Sequence, residues 1–239
     1  MGSGLVSILG WAALLALATV MLCVPAALAM ATWMARQRWR TSALFDVAIL
    51  LPAGLPPALA GLAIWLGWRR PELPWLWAAL RDWTPLQWVG ATLAACCLLT
   101  LPWMVRLLRP AFEARDPMLA GVARTLGASA WRAWWTVSLP LARPALVSAL
   151  ALGFAVAFSE ALIVMVAIAA LTPEALPGRP DWLRLLATLR QALQDEQTWW
   201  LLAATAMAVS FVGVTLSEWG RRAWRRQAQR QRTQRQGPA

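Results

Sequence analysis

The sequence predicts an all-α membrane protein with about five transmembrane helices, a sixth left open, and a cytoplasmic helix-turn-helix loop between two of them. Three observations carry this. Hydrophobic residues make up 60% of the 239 positions and charged ones 14%, with a mean hydropathy of +0.54, which is more apolar surface than one soluble core can bury. Eighteen Trp are present, and many stand at the ends of apolar runs (Trp11, Trp33, Trp65, Trp68, Trp88, Trp103, Trp199, Trp200, Trp219), where an amphipathic ring prefers the headgroup level. Charge sits between the runs. All 22 basic residues are Arg, and thirteen of them fall in two intervals: Arg106, Arg109, Arg115, Arg124, Arg132 and Arg143, then Arg221, Arg222, Arg225, Arg226, Arg230, Arg232 and Arg235. A net charge of +11 suits either nucleic acid or an anionic membrane surface, and this clustering beside apolar runs favours membrane lipid, with no nucleic-acid partner.

Residues 5–30 form an uncharged apolar segment, too long for the core of a signal peptide and without a basic leader, so a retained first span is expected. Pro25 is placed to kink it. Arg36, Arg38 and Arg40 against Asp46 leave the next loop at +2. The second expected span, 44–68, carries Pro52, Pro56 and Pro57 with Gly54 and Gly61. Either these breakers are buried in protein or line a cavity, or the helix simply begins after Pro57. A Trp-rich loop of charge +1 follows, then a third span over 88–108, expected to be interrupted at Pro102.

The stretch from Arg106 to Arg143, which contains the loop 109–143, is the long polar-flanked stretch between apolar runs, at a net +4. Asp116 is a good N-cap and Pro117 suits a first helical position, so a short helix is expected from there to Gly127, whose missing side chain permits a left-handed C-cap. A second short helix should start near Ser129 and end before Pro140. Both are too short to stand alone and require a partner surface.

A fourth span over 145–171 contains Glu160 beside Ser159, the one acidic residue deep in an apolar run. A carboxylate at that depth costs a few kcal/mol unless paired, protonated or wetted. Glu160 is therefore either a translocation-pathway or gating group, or a structural hydrogen-bonding one. Next comes a loop of charge −1 whose Leu183, Leu186, Leu189 and Leu193 suggest an amphipathic surface helix, then a last span over 199–219. A single transmembrane domain is thus expected over 1–220, and 221–239 is a basic tail expected to be frayed. Loop charges place the N-terminus outside and the C-terminus and the 109–143 loop in the cytoplasm.

Catalytic chemistry finds little footing. Cys23, Cys96 and Cys97 lie inside apolar runs and read as small buried hydrophobes, no His exists, and no metal site is expected. A GxxxxGK[ST] phosphate loop is missing, so the chain does not hydrolyse ATP by itself.

Arg124-Thr125-Leu126-Gly127-Ala128-Ser129, followed by Val137-Ser138-Leu139-Pro140, resembles the cytoplasmic signature of the membrane permeases of binding-protein-dependent ABC importers. That signature opens Glu-Ala-Ala, passes through a glycine and closes on Ile-x-Leu-Pro. The resemblance implies that 118–128 is a coupling helix fitting a groove in a partner ATPase. Asp116, Gly127 and Pro140 would then set the loop's shape, Ala123, Arg124, Thr125 and Leu126 the contact face, and Gly121, Val122, Ala128, Val137 and Leu139 the rest of the docking loop. Arg124 either pairs with the ATPase or is solvated. Leu55-Pro56-Pro57 before Gly61, Leu101-Pro102 with Arg106, Asp116-Pro117, and Leu216-Ser217-Glu218-Trp219 look like the molybdate and sulfate branch of these permeases.

What the resemblance implies is a non-enzymatic permease subunit of the bacterial inner membrane that binds no cofactor, with ATP and Mg held by the ABC ATPase. It also implies an extracytoplasmic solute-binding protein and a second permease copy or a homologous permease. The expected substrate is molybdate, tungstate or sulfate, with thiamine, ferric iron or another small solute as the alternative. A non-transport membrane enzyme or assembly protein is the competing class. The sequence departs from the family pattern twice. Gly121-Val122-Ala123 stands for Glu-Ala-Ala, and Ala157-Phe158-Ser159-Glu160-Ala161-Leu162 stands for the oxyanion branch's Ser-Leu-Gly-Glu-Phe-Gly.

Overall fold

Long runs without charge and with few helix breakers fold here as long helices, because every backbone polar group in lipid must be satisfied within its own segment. The computed structural model describes residues 2–36, 85–114, 117–171 and 196–236. The expected span 44–68 with Pro56 and Pro57, Asp116, and the leucine-spaced segment from Leu183 to Leu193 lie outside the described residues. In chain order the elements are α1 (Gly2–Arg36), α2 (Pro85–Glu113), α3 (Pro117–Thr125), α4 (Ala130–Ala133), a π-helical stretch (Trp134–Ser138), α5 (Leu139–Leu141), α6 (Arg143–Leu171) and α7 (Glu196–Gln236). All described secondary structure is helical. Four helices among the described residues are long and apolar enough to cross a membrane: Leu5–Arg36, Thr92–Glu113, Arg143–Met165 and Trp200–Arg222.

Three sequence expectations are corrected. Pro102 does not interrupt its helix: α2 runs unbroken through Pro102 and Pro110. Pro102 is buried against the other helices, so packing holds the helix together across the missing N–H. Nor does the helical run after Ser129 stop before Pro140. The π-helical stretch resets the hydrogen-bond register, and Pro140 falls in the first turn of α5, where a missing N–H is harmless. Finally, the tail is helical as far as Gln236 rather than frayed. Between Arg221 and Gln236 it is made largely of Arg, Gln and Ala with no Gly or Pro, and the preceding span has already nucleated the helix.

The α6 helix is the hub, packed against α1, α2 and α7. Lipid supplies no hydrophobic drive between helices, so association relies on close contact through small residues. On α1 the buried stripe is Ile8, Ala12, Ala16, Thr19, Cys23, Ala27 and Ala31, and α6 contributes Ala145, Ala149, Ala157 and Ala161. Buried Cys23 and half-buried Cys97 join this packing: Cys23 Sγ donates to the Cys97 carbonyl at 3.7 Å, and Cys97 Sγ to the Thr19 carbonyl at 3.9 Å. Against α7, Gly213 lies on Ala151 and Ala155, Gly220 on Pro144 and Ser148, and Ser210 Oγ is 3.2 Å from Ser159 Oγ. These levels run in opposite directions along the two helices, so α7 is antiparallel to α6. Against α2, Gly153 lies on Met104 and Thr100.

A candidate docking loop and a buried polar site

The loop's shape follows from its cap chemistry. α3 ends in a Schellman turn: Gly127 has φ +89°, its N–H donates to the Arg124 carbonyl at 3.0 Å, and the Ala128 N–H donates to the Ala123 carbonyl at 3.0 Å. A left-handed residue is needed there and glycine supplies it at no steric cost. Two residues later the chain turns helical again at Ser129, which is extended (φ −63°, ψ 158°) and accepts the Arg132 N–H on its Oγ at 3.2 Å. α3 and α4 are thereby folded against each other around a shallow cleft of about 520 Å³, lined by Gly121, Arg124, Thr125, Ala128, Ser129 and Ala130.

The expected docking residues divide into two groups. Gly121, Val122, Arg124, Thr125, Leu126 and Gly127 are exposed, with Leu126 at 82%, while Ala123 and Ala128 are half-buried. Val137, Leu139 and Pro140 are half-buried, and Leu139 packs against the membrane core cluster, so this end ties the loop to the bundle. The sequence reading missed Met118, 72% exposed, which extends the aliphatic face of α3 through Val122 to Leu126. Its signal was the i, i+4, i+8 spacing of large apolar residues on a helix outside the spans. Where α2 approaches the loop, Arg109 Nε pairs with Glu113 Oε1 at 2.5 Å on one helix face.

The second site lies within the bundle. Ser159 Oγ donates to the Ala155 carbonyl at 3.0 Å and faces Ser210 of α7, while Glu160 is 8% exposed between helices and has no hydrogen-bond or ion-pair partner among the described residues. Thr100 Oγ1 on α2 is buried without a hydrogen-bond partner among the described residues. Ser159 and Glu160 are neighbours in sequence, so on the helix they point about 100° apart. The structure describes neither of them together with Pro56 or Pro57.

Residues 23–226 match the family of binding-protein-dependent transport system inner membrane components. The chain belongs to this family. It is a transport permease of the ABC-importer type, an inner membrane component with several apolar helices, and its family is not one of catalytic enzymes. Among similar proteins, the molybdenum transport system permease protein ModB of Haemophilus influenzae is 31% identical over 210 residues, covering 85% of this chain and 88% of the relative. The ModB protein of Escherichia coli is 32% identical over 184 residues, covering 74% of this chain and 76% of the relative. The sulfate transport system permease protein CysT of Escherichia coli is 33% identical over 134 residues, or 56% of this chain and 48% of that protein. In the permease, the match includes the whole loop, the Ser159–Glu160 pair and the basic beginning of the α7 extension.

Proposed function

We propose that this permease imports an oxyanion such as molybdate, tungstate or sulfate, and that its 109–143 loop receives a separate ATPase subunit. The observation that carries the docking reading is the exposed aliphatic face of α3, Met118, Val122 and Leu126, presented outside the spans and fixed in shape by the Gly127 turn. Arg124, exposed beside the cleft, offers a charge to the same partner. Support for the substrate class comes from the molybdenum and sulfate permeases that the chain resembles.

In this reading a solute-binding protein delivers the anion on the extracytoplasmic side, and this chain with a second copy or a homologous permease encloses the pathway. ATP and Mg act at the ATPase. Its closure displaces α3, and the displacement passes through the π-helical stretch and Leu139, which are anchored on the core, into α6. Ser159 and Glu160 on α6 line or gate the pathway, together with Pro56 and Pro57. The N-terminus lies outside and the tail 221–239 in the cytoplasm.

Two substitutions in the assembled transporter test this. Gly127→Val places a β-branched residue at φ +89°, where a non-glycine residue costs about 1–2 kcal/mol, and should uncouple ATP hydrolysis from uptake. Leu126→Asp should reduce co-purification of the ATPase. Retention of substrate-stimulated hydrolysis and of the ATPase in both variants would rule out the docking role. Uptake of labelled molybdate and sulfate, compared with thiamine and ferric iron, decides the substrate class.

A further inference from the structure

Three indoles form one cluster on the second half of the loop. Trp131 stacks on Trp134 with ring centroids 5.5 Å apart and planes 12° from parallel, while Trp135 meets both edge-on at 5.6 and 5.2 Å. Trp134 is half-buried and packs against the membrane core, which fixes the cluster to the end of the bundle. The other two rings project from it: Trp131 is 68% exposed and Trp135 48%. Arg132 is exposed between them, and Thr136, exposed just after Trp135, donates its hydroxyl to the Arg132 carbonyl at 2.7 Å.

The level of the cluster can be read from α7. Gly220 packs on the Pro144 backbone, so Trp219, 71% exposed and near the end of a candidate span, lies at the level where α6 begins. Trp135 precedes Pro144 by nine residues, at most about 14 Å along a helical path, and that path breaks direction at Ala142 (φ −93°, ψ 0°). The headgroup layer is about 5–8 Å thick on each side of the hydrocarbon, so a cluster held against the bundle end reaches it. Its chemistry also differs from that of α3. The exposed side chains of α3 include aliphatic and thioether groups suited to a dry protein groove. Those of the second half are indoles with a guanidinium among them, the combination that places rings at the acyl boundary and a charged donor at phosphate and ester oxygens.

We propose that Trp131, Trp134 and Trp135, with Arg132, form an interfacial anchor that seats the second half of the loop on lipid headgroups, leaving α3 as the separate face for a protein partner. The anchor rests on family membership and not on the ATPase reading, so either can fail alone. It gives the loop a fixed end at the membrane and a presented end at α3.

Depth measurement on the full chain tests it. A nitroxide is attached at Trp131→Cys or Thr136→Cys, with Cys23, Cys96 and Cys97 replaced by Ala, and the permease is placed in nanodiscs of phosphatidylethanolamine and phosphatidylglycerol. The expected result is an oxygen-to-nickel-chelate accessibility ratio severalfold above that of a label at Thr125→Cys, unchanged when the ATPase subunit is added. A ratio equal to that at Thr125→Cys, or shielding that appears with the ATPase alone, would overturn the proposal; the latter assigns the cluster to the protein partner. A second measurement leaves the native cysteines in place. Brominated-chain lipids should quench part of the tryptophan emission, and that quenched part should shrink in Trp131→Phe/Trp135→Phe. If the emission lost in the double variant is entirely unquenchable, the indoles are away from lipid and the anchor is refuted.

Discussion

Adding one methyl group at Gly213 or Gly220 probes the contact between α6 and α7 directly. A Cβ at Gly213 would overlap the Ala155 Cβ and come 2.9 Å from the Ala151 carbonyl oxygen; at Gly220 it would overlap Ser148 Oγ and come 2.8 Å from the Pro144 carbonyl oxygen. The obstructing atoms are mostly backbone or Cβ, which cannot swing aside, so each Ala substitution is an overpacking change worth about 1–3 kcal/mol of destabilisation. Gly10 and Gly90 supply the controls. They lie in helices with nothing within 4 Å of an added Cβ, and there Ala should stabilise by up to about 1 kcal/mol through helix propensity. The two pairs are therefore separated by about 1–4 kcal/mol with opposite signs. Gly153 is intermediate. Its added Cβ would sit 3.0 Å from Met104 Cγ and 3.1 Å from Sδ, on a flexible side chain that can move. The assay is unfolding in mixed micelles followed by far-UV circular dichroism. Gly213→Ala and Gly220→Ala proteins as stable as Gly10→Ala and Gly90→Ala would refute the close approach of the two helices.

Two further outcomes are expected. Thr100→Val removes a buried hydroxyl that has no hydrogen-bond partner among the described residues and keeps its shape, so it should hold or raise stability by about 1 kcal/mol in the same assay; an equal loss would mean that the hydroxyl is satisfied in the membrane. Glu160→Gln should lower uptake and flatten its pH dependence while assembly and unfolding stay unchanged. Preserved uptake with preserved pH dependence would make the carboxyl a packing element of the bundle.

The helices were legible because apolar runs punctuated by Arg leave few alternatives in lipid, and the α3 turn was legible because Gly127 is the residue that tolerates φ +89° without strain. Proline effects were not. Whether Pro102 breaks α2 depends on what packs around it, and whether Pro140 stops a helix depends on a register that the π-helical stretch shifts beforehand. The interior face of α6 was illegible for a different reason. A helix that touches protein on one side and lipid on the other is apolar around its whole circumference, so no stripe tells Glu160's side from Ile163's, although Glu160 is buried and Ile163 is exposed. Spacing of small residues carries that information instead. Gly213 and Gly220 stand two helical turns apart opposite Ala155 and Ser148, and the same rule marks the α1 stripe of Ala12, Ala16, Ala27 and Ala31.

The antiparallel packing of α7 on α6 has a consequence for the loop. Because Gly220 rests on Pro144, the Arg-rich end of α7 leaves the bundle on the same face as α3, whichever side of the membrane that face occupies. From Arg222 the helix continues for fourteen residues to Gln236, about 21 Å, and Glu218 pairs with Arg221 and, at 3.9 Å, with Arg222 near its root. These pairs are exposed and individually worth little. Their placement nevertheless matters, since they offset part of the charge at the root of the extension, and the sequence beyond Glu218 carries seven Arg and no acidic residue. A partner that docks on α3 therefore approaches a face carrying the basic extension as well, and its affinity should weaken with salt even if its contact with Met118, Val122 and Leu126 is apolar.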